Sequence, residues 1–283
     1  MQSTVRHLKN EISLVRIESS YNEPILGIRE LWQYRELLDL LVWREIKIRY
    51  KQTAIGVSWA VLQPFLTMVI FAVIFGSFAQ IPSDGLPYPV FAYTALLPWT
   101  YFSQAVGRSS HCLVGDASLL QKVYFPRLIL PLTAVIVPLV DFLFAFLVFL
   151  GMIVWFDVAL TWKFLMLPLF LFMAFLTALG IGLWLAPLNV KYRDVRIVIP
   201  VIIQLWMYAS PIVYPLSLIP EKWRFLYSLN PLVGVIDGFR WALVGHAKPD
   251  FELMAVSAVA IMFLLWLGLY FFKRAEPTFA DFV

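Results

Sequence analysis

Leu128 to Val154 reads LILPLTAVIVPLVDFLFAFLVFLGMIV, and its only charged side chain is Asp141. As a helix rising ~1.5 Å per residue this stretch reaches about 40 Å, against a hydrocarbon core of ~30 Å. It is therefore long enough to cross a bilayer, with room for tilt or a kink. Working outward, five further stretches meet the same test: Val57 to Phe78, Tyr88 to Val106, Phe164 to Leu188, Ile197 to Tyr214 and Leu253 to Phe272. The whole chain of 283 residues is 61% hydrophobic and 14% charged, with a mean hydropathy of +0.80. A soluble domain is nearer 45–50% apolar. The expected fold is an all-α membrane protein with six transmembrane helices, forming one domain over residues 1–283 whose six-span bundle covers 57–272.

Loop charges give an orientation, because Lys and Arg accumulate on the cytoplasmic side. Nine of them precede the first span, Arg108, Lys122 and Arg127 lie between the second and third, and Lys191, Arg193 and Arg196 between the fourth and fifth. Lys273 and Arg274 begin the tail, residues 273–283. The opposite side holds Lys163, Lys222, Arg224, Arg240 and Lys248. Both termini are expected in the cytoplasm, and residues 1–27 lack the apolar core of a cleavable signal peptide. Across 28–50, Leu31, Tyr34, Leu38, Leu41 and Val42 recur at helical spacing opposite Gln33, Arg35, Glu36 and Asp39. This predicts an amphipathic interfacial helix. Arg44, Lys47, Arg49 and Lys51 then either meet anionic lipid phosphates or serve as a topological anchor.

Several chemistries find no support. The phosphate cradle G-x-x-x-x-G-K-[ST] does not occur, so ATP hydrolysis by that route is excluded from this chain. Ion-coupled carriers bury several ionisable groups in their spans, whereas Asp141 stands alone well inside the membrane. A hydrogen-bonded packing role suits it better than a proton relay. His7, His111 and His246 fall on different segments, and Cys112 is the only cysteine, so no metal centre or other bound cofactor is expected. Asp250 and Glu252 read as partners of a helix dipole rather than as a catalytic acid pair. No nucleic-acid partner is expected.

Four stretches carry a resemblance. They are Arg49-Tyr50-Lys51-Gln52-Thr53-Ala54-Ile55-Gly56 with Trp59 and Pro64; Leu119-Leu120-Gln121-Lys122-Val123-Tyr124-Phe125-Pro126-Arg127; Tyr192-Arg193-Asp194-Val195; and Ser210-Pro211-Ile212-Val213-Tyr214-Pro215 with Asn230-Pro231 and Arg240. In this order, across residues 40 to 245, they resemble the permease subunits of ABC polysaccharide exporters of the type-2 branch, which includes O-antigen, capsule and teichoic-acid exporters. Asp116 is placed to cap a short helix that ends before Pro126. The resemblance implies that this is a coupling helix docking on an ATPase subunit through Leu119, Leu120, Lys122, Tyr124 and Phe125. Lys191, Arg193 and Asp194 are weaker candidates for the same contact.

The stretch from Leu216 to Asp250 is apolar but broken by Pro220, Pro231 and Pro249. Similarity to the family implies short re-entrant external helices before the last span, with Asn230 and Pro231 at their turn and Arg240 as a polar contact. They form either a gate or a rigid cap. The family's pathway lies between two permease copies along spans one and five, which nominates Trp59, Phe71, Phe75, Trp206, Tyr208 and Tyr214; packing or lipid-facing roles account for such aromatics equally well. The resemblance further implies a homodimer in the bacterial inner membrane, working with two copies of a separate ATPase that uses ATP and Mg. The cargo would be a lipid-linked polysaccharide, O-antigen being favoured. A small-molecule or lipid exporter is the alternative, and a membrane-embedded glycosyl- or acyltransferase a more distant one.

Overall fold

The computed structural model describes residues 28–51, 58–159, 161–192, 194–245 and 251–279. The described residues are helical apart from turns and short connections. In chain order the helices are α1 (Ile28–Gln33), α2 (Arg35–Lys51), α3 (Ser58–Phe71), α4 (Tyr88–Gly115), α5 (Ala117–Lys122), α6 (Ile129–Ile136), α7 (Pro138–Trp155), α8 (Leu167–Lys191), α9 (Val195–Tyr208), α10 (Glu221–Ser228), α11 (Pro231–Val244) and α12 (Phe251–Ala275). A π-helical stretch, Ala72–Phe78, extends α3.

Among the described residues, four helices are long and apolar enough to cross a membrane: Ser58–Phe78, Ile129–Trp155, Trp162–Lys191 and Phe251–Ala275. They coincide with four of the six expected spans. The Ile129–Trp155 rod is interrupted where α6 gives way to α7, at Pro138, whose ring nitrogen has no hydrogen to donate to the preceding turn. The other two expected spans differ from the hydropathy reading in instructive ways. Helix α4 is 28 residues long, yet it is diluted by Tyr, Thr, Ser and Gln. It can afford them because it is the hub, packing against α3, α6, α7, α8 and α11. Its fully buried Tyr93 and Tyr101 donate to the carbonyls of Ala145 (3.1 Å) and Val135 (3.2 Å), so the hydroxyls are satisfied inside the protein. The fifth expected span, Ile197 to Tyr214, is helical only to Tyr208. Residues before proline avoid the helical region, and Pro211 and Pro215 crowd the segment beyond.

A large core cluster lies among α4, α7, α8 and α11. A second, smaller cluster joins Leu41 to Leu113, Phe125, Leu128, Leu183, Phe272 and Phe279. Helices α8 and α12 cross closely at Gly180 and Gly268, where a Cβ on Gly180 would stand 2.9 Å from the Leu265 backbone and one on Gly268 would collide with the Gly180 carbonyl. Small residues at such crossings let two backbones approach. Gly268→Val is therefore expected to lower the thermal unfolding temperature of the detergent-solubilised protein, while Gly107→Ala, where an added Cβ meets nothing within 4 Å and a helix-interior glycine is replaced, keeps or raises it. Equal unfolding of the two variants would disprove the tight crossing.

Candidate functional site

Polar side chains gather at the two ends of the bundle. At the end that carries α5, Asp116 holds the N-cap position but makes no side-chain capping bond. Its carboxylate instead accepts from Arg44 at 2.6 Å, which ties α2 to the start of α5. Arg44 also pairs with Glu45 at 3.1 Å, and Glu45 accepts from Arg108 of α4 at 2.7 Å. Further along α2, Arg49 pairs with Asp141 and donates to Gln104 at 3.0 Å. Tyr50 donates its hydroxyl to the same carboxylate. Burial and this hydrogen bond both push the Tyr50 phenol above its ordinary range, so it remains a donor. Asp141 is only 4% exposed, and its charge is matched by the guanidinium beside it.

The four basic residues nominated for lipid headgroups thus separate. Arg44 and Arg49 turn onto carboxylates of the bundle, while Lys47 and Lys51 are exposed. The apolar face of α1 and α2 separates likewise: Leu31, Tyr34, Leu38 and Leu41 pack on the smaller cluster, and Trp32, Leu40, Trp43 and Ile48 remain exposed. Sequence reasoning missed Glu45 and Arg108 as partners. Their signal was slight, two opposite charges on separate segments near the ends of spans.

The nominated coupling residues also occupy distinct environments. Tyr124 is 67% exposed, Phe125 is 4% exposed, and Lys122 projects from the surface. Leu119 and Leu120 are half-buried against the smaller cluster. A hollow of about 240 Å³ is lined by residues 120–125 and Arg127. The α5 segment is therefore anchored from below by Phe125 and presents Tyr124 and Lys122 outward. Asp194 is exposed at the start of α9, where its carbonyl accepts from Ile197 at 2.9 Å, and Lys191 lies over the Tyr192 ring at 5.3 Å. Arg193 lies outside the described residues.

At the other end, residues 209–215 leave the helix, so their carbonyls need partners from elsewhere. Side chains supply them. Asn230 donates from Nδ2 to the Ala209 carbonyl (3.2 Å) and to Ser210 Oγ (3.0 Å). Tyr88 donates to the Val213 carbonyl at 2.7 Å. Arg240 donates to the carbonyls of Ile212 (2.9 Å) and Tyr214 (3.4 Å) while its guanidinium carbon stands 3.7 Å from the Phe91 ring centroid. The Asn230 carbonyl oxygen caps α11 at Leu232 N and accepts from the Trp206 indole at 3.0 Å. Pro231 occupies the first position of α11, where its missing N–H costs nothing. Asn230, Pro231 and Arg240 are thus brought together around one irregular turn.

The pathway nominees are scattered between surface and core. Trp59 and Tyr208 are exposed, Phe71 is buried and meets Phe75 edge-on at 5.5 Å, and Trp206 packs edge-on against Phe102 at 5.4 Å. The Tyr214 hydroxyl donates to the Tyr208 carbonyl (3.2 Å) and meets the Tyr227 hydroxyl (2.8 Å). Helices α3 and α9 each carry an open apolar face: Leu66, Ile70 and, in the π-helical extension, Ile74 on one, and Ile197, Val201 and Leu205 on the other, are exposed at near-helical spacing.

The short helix α5 is thus tethered to α2 at one end of the bundle, and a proline-rich turn is pinned at the other. The family described as ABC-2 type transporter matches residues 36–244. The chain belongs to that family. This ABC-2 transporter chain is 32% identical over 258 residues to an O-antigen export system permease protein, RfbA, of Myxococcus xanthus, covering 90% of the chain and 98% of the relative. A Klebsiella pneumoniae protein of the same name is 28% identical over 267 residues, with 90% and 99% covered. The polysialic acid transport protein KpsM of Escherichia coli is 26% identical over 247 residues, with 84% and 93% covered. The ABC-2 match begins in α2 and ends at the last residue of α11, so it includes both polar ends of the bundle.

Proposed function

We propose that this chain is the membrane permease of an ATP-driven exporter that carries lipid-linked polysaccharide, O-antigen in the first instance, across the bacterial inner membrane. The observation that carries this reading is the end-to-end similarity to permeases named for O-antigen export and polysialic acid transport. Six crossings are made by α3, α4, α6 with α7, α8, α9 and α12, and both termini lie in the cytoplasm. Helix α9 reaches across only with the turn that follows it, which is why that turn must be held by side chains. Exposed Trp32, Trp43, Lys47 and Lys51 set α1 and α2 at the lipid headgroups.

A homodimer of this chain works with two copies of a separate ATPase, which binds the ATP and Mg. The exposed faces of α3 and α9, with Trp59 and Tyr208, line the seam between protomers. Tyr124 and Lys122 of the coupling segment, with Leu119 and Leu120 behind them and Arg193 and Asp194 beside α9, receive the ATPase movement. The Arg44–Asp116 pair passes it to α2. The pinned turn with Asn230, Pro231 and Arg240 is the external gate.

Deleting the chain from its host is expected to abolish surface polysaccharide and to leave the lipid-linked polymer inside, with both reversed by the wild-type chain. Surface polysaccharide persisting in the deletion, or ATP hydrolysis by the purified chain without a partner, defeats the reading.

A further inference from the structure

Helix α12 ends at Ala275, and a 3₁₀ turn, Glu276–Thr278, follows it. Beyond the turn Phe279 is only 2% exposed, and its ring meets Phe272 edge-on at 5.3 Å. Phe279 shares the smaller cluster with Leu41 of α2, Leu113 of α4 and Phe125. Arg127, two residues after Phe125, reaches the same place: its Nη1 donates to the Glu276 carbonyl, and its guanidinium carbon stands 5.7 Å from the Phe279 ring centroid. Arg127 also lines the hollow formed by residues 120–125. Neither α12 nor the turn falls within residues 36–244, where the family match lies.

The Glu276 carbonyl already accepts from the Phe279 N–H, which closes the turn. A carbonyl oxygen has a second lone pair, and Arg127 takes it. One atom therefore serves both the turn that leads to Phe279 and the arginine of the coupling segment. A cation is also favoured beside the C-terminal end of a helix. Because the acceptor is main chain, it cannot swing away as a carboxylate side chain can; the Glu276 carboxylate pairs with Lys273 of α12 at 4.0 Å. Filling the core explains Phe279 but leaves the arginine bond without a role. The segment from α5 to Arg127 is thus held at both ends, by Arg44 of α2 on Asp116 and by the end of α12 on Arg127.

We propose that Arg127 and Phe279 are positioning residues that clamp the coupling segment to the end of α12, so that movement received at α5 reaches the last span as well as α2. The clamp itself is independent of what is exported; its role in coupling rests on the export reading above.

The test has two arms. In the first, the full-length chain carries Cys112→Ala and a nitroxide spin label on Val123→Cys, an exposed position within the clamped segment. Arg127→Met keeps the apolar stem and removes the donor, and Phe279→Leu keeps a buried hydrophobe and removes the ring. Each is expected to raise the mobile fraction of the label's spectrum severalfold in detergent, while a label on Leu226→Cys, exposed on α10, is unchanged. In the second arm, without labels, each variant is expected to assemble with the ATPase and to support wild-type ATP hydrolysis, while surface polysaccharide per permease falls severalfold. A Val123 label as immobile in both variants as in the wild type overturns the clamp. A released label with export per ATP hydrolysed unchanged means that the residues hold the segment without positioning it for coupling, and the proposal falls. If the label responds as expected but the wild type restores no polysaccharide to the deletion host, the clamp stands and only the export reading falls.

Discussion

Arg240→Leu is expected to destabilise the protein by about 3 kcal/mol, read as a lower thermal unfolding temperature in detergent and a reduced yield from the membrane. The guanidinium donates to two carbonyls of a turn that has no helix to satisfy them, at 2.9 Å to Ile212 and 3.4 Å to Tyr214. It also faces the Phe91 ring at 3.7 Å. Removing a buried cation returns some desolvation energy, which opposes the loss. Each stranded carbonyl costs roughly 1–3 kcal/mol, however, and Ile212 is fully buried, out of reach of a replacing water. Arg240→Lys should recover only part of the loss, because an ammonium lacks the planar fork that serves two carbonyls and stacks on a ring. Wild-type unfolding in the leucine variant would mean that the turn is held by Asn230 and Tyr88 alone.

The second large effect separates neighbours. Phe125→Ala should cost about 3–5 kcal/mol, since a buried aromatic is truncated and the cavity collapses only in part. Tyr124→Ala should leave unfolding unchanged, because the side chain is mostly in solvent. If the segment transmits movement, Tyr124→Ala lowers surface polysaccharide severalfold while the permease still accumulates in the membrane. Normal export with Tyr124→Ala removes this side chain from the coupling contact, whatever Phe125 does.

That split was not legible in the sequence, where both aromatics share one apolar loop. Hydropathy located the four long spans and the start of α4 well, because bilayer thickness fixes their length. It overran α9: Ala209, Ile212 and Val213 are apolar whether or not the backbone is helical, and only Pro211 and Pro215 marked the exit. Helical periodicity correctly paired Leu31, Tyr34, Leu38 and Leu41 on one face. Periodicity states which residues share a face and is silent about what covers it, so a face assigned to lipid packs on the smaller core cluster. For the same reason Arg44 and Arg49 read as headgroup ligands, while their carboxylates, Asp116 and Asp141, stand far away in sequence. Asp141 itself was legible as a structural group from its solitude in an apolar span. Among the aromatics, Phe71 and Trp206 are indistinguishable by type from Trp59 and Tyr208, and only tertiary contacts assign the first two to packing.

The pinned turn also constrains how the protein is made. Helix α9 has 14 residues, about 21 Å of helix, which is shorter than the hydrocarbon core. Its continuation borrows donors from Asn230 and Arg240, which are translated later. On the proposed six-span topology, α9 therefore leaves the ribosome before the donors that satisfy its continuation exist. Stable insertion of α9 is accordingly expected only once α11 has been synthesised.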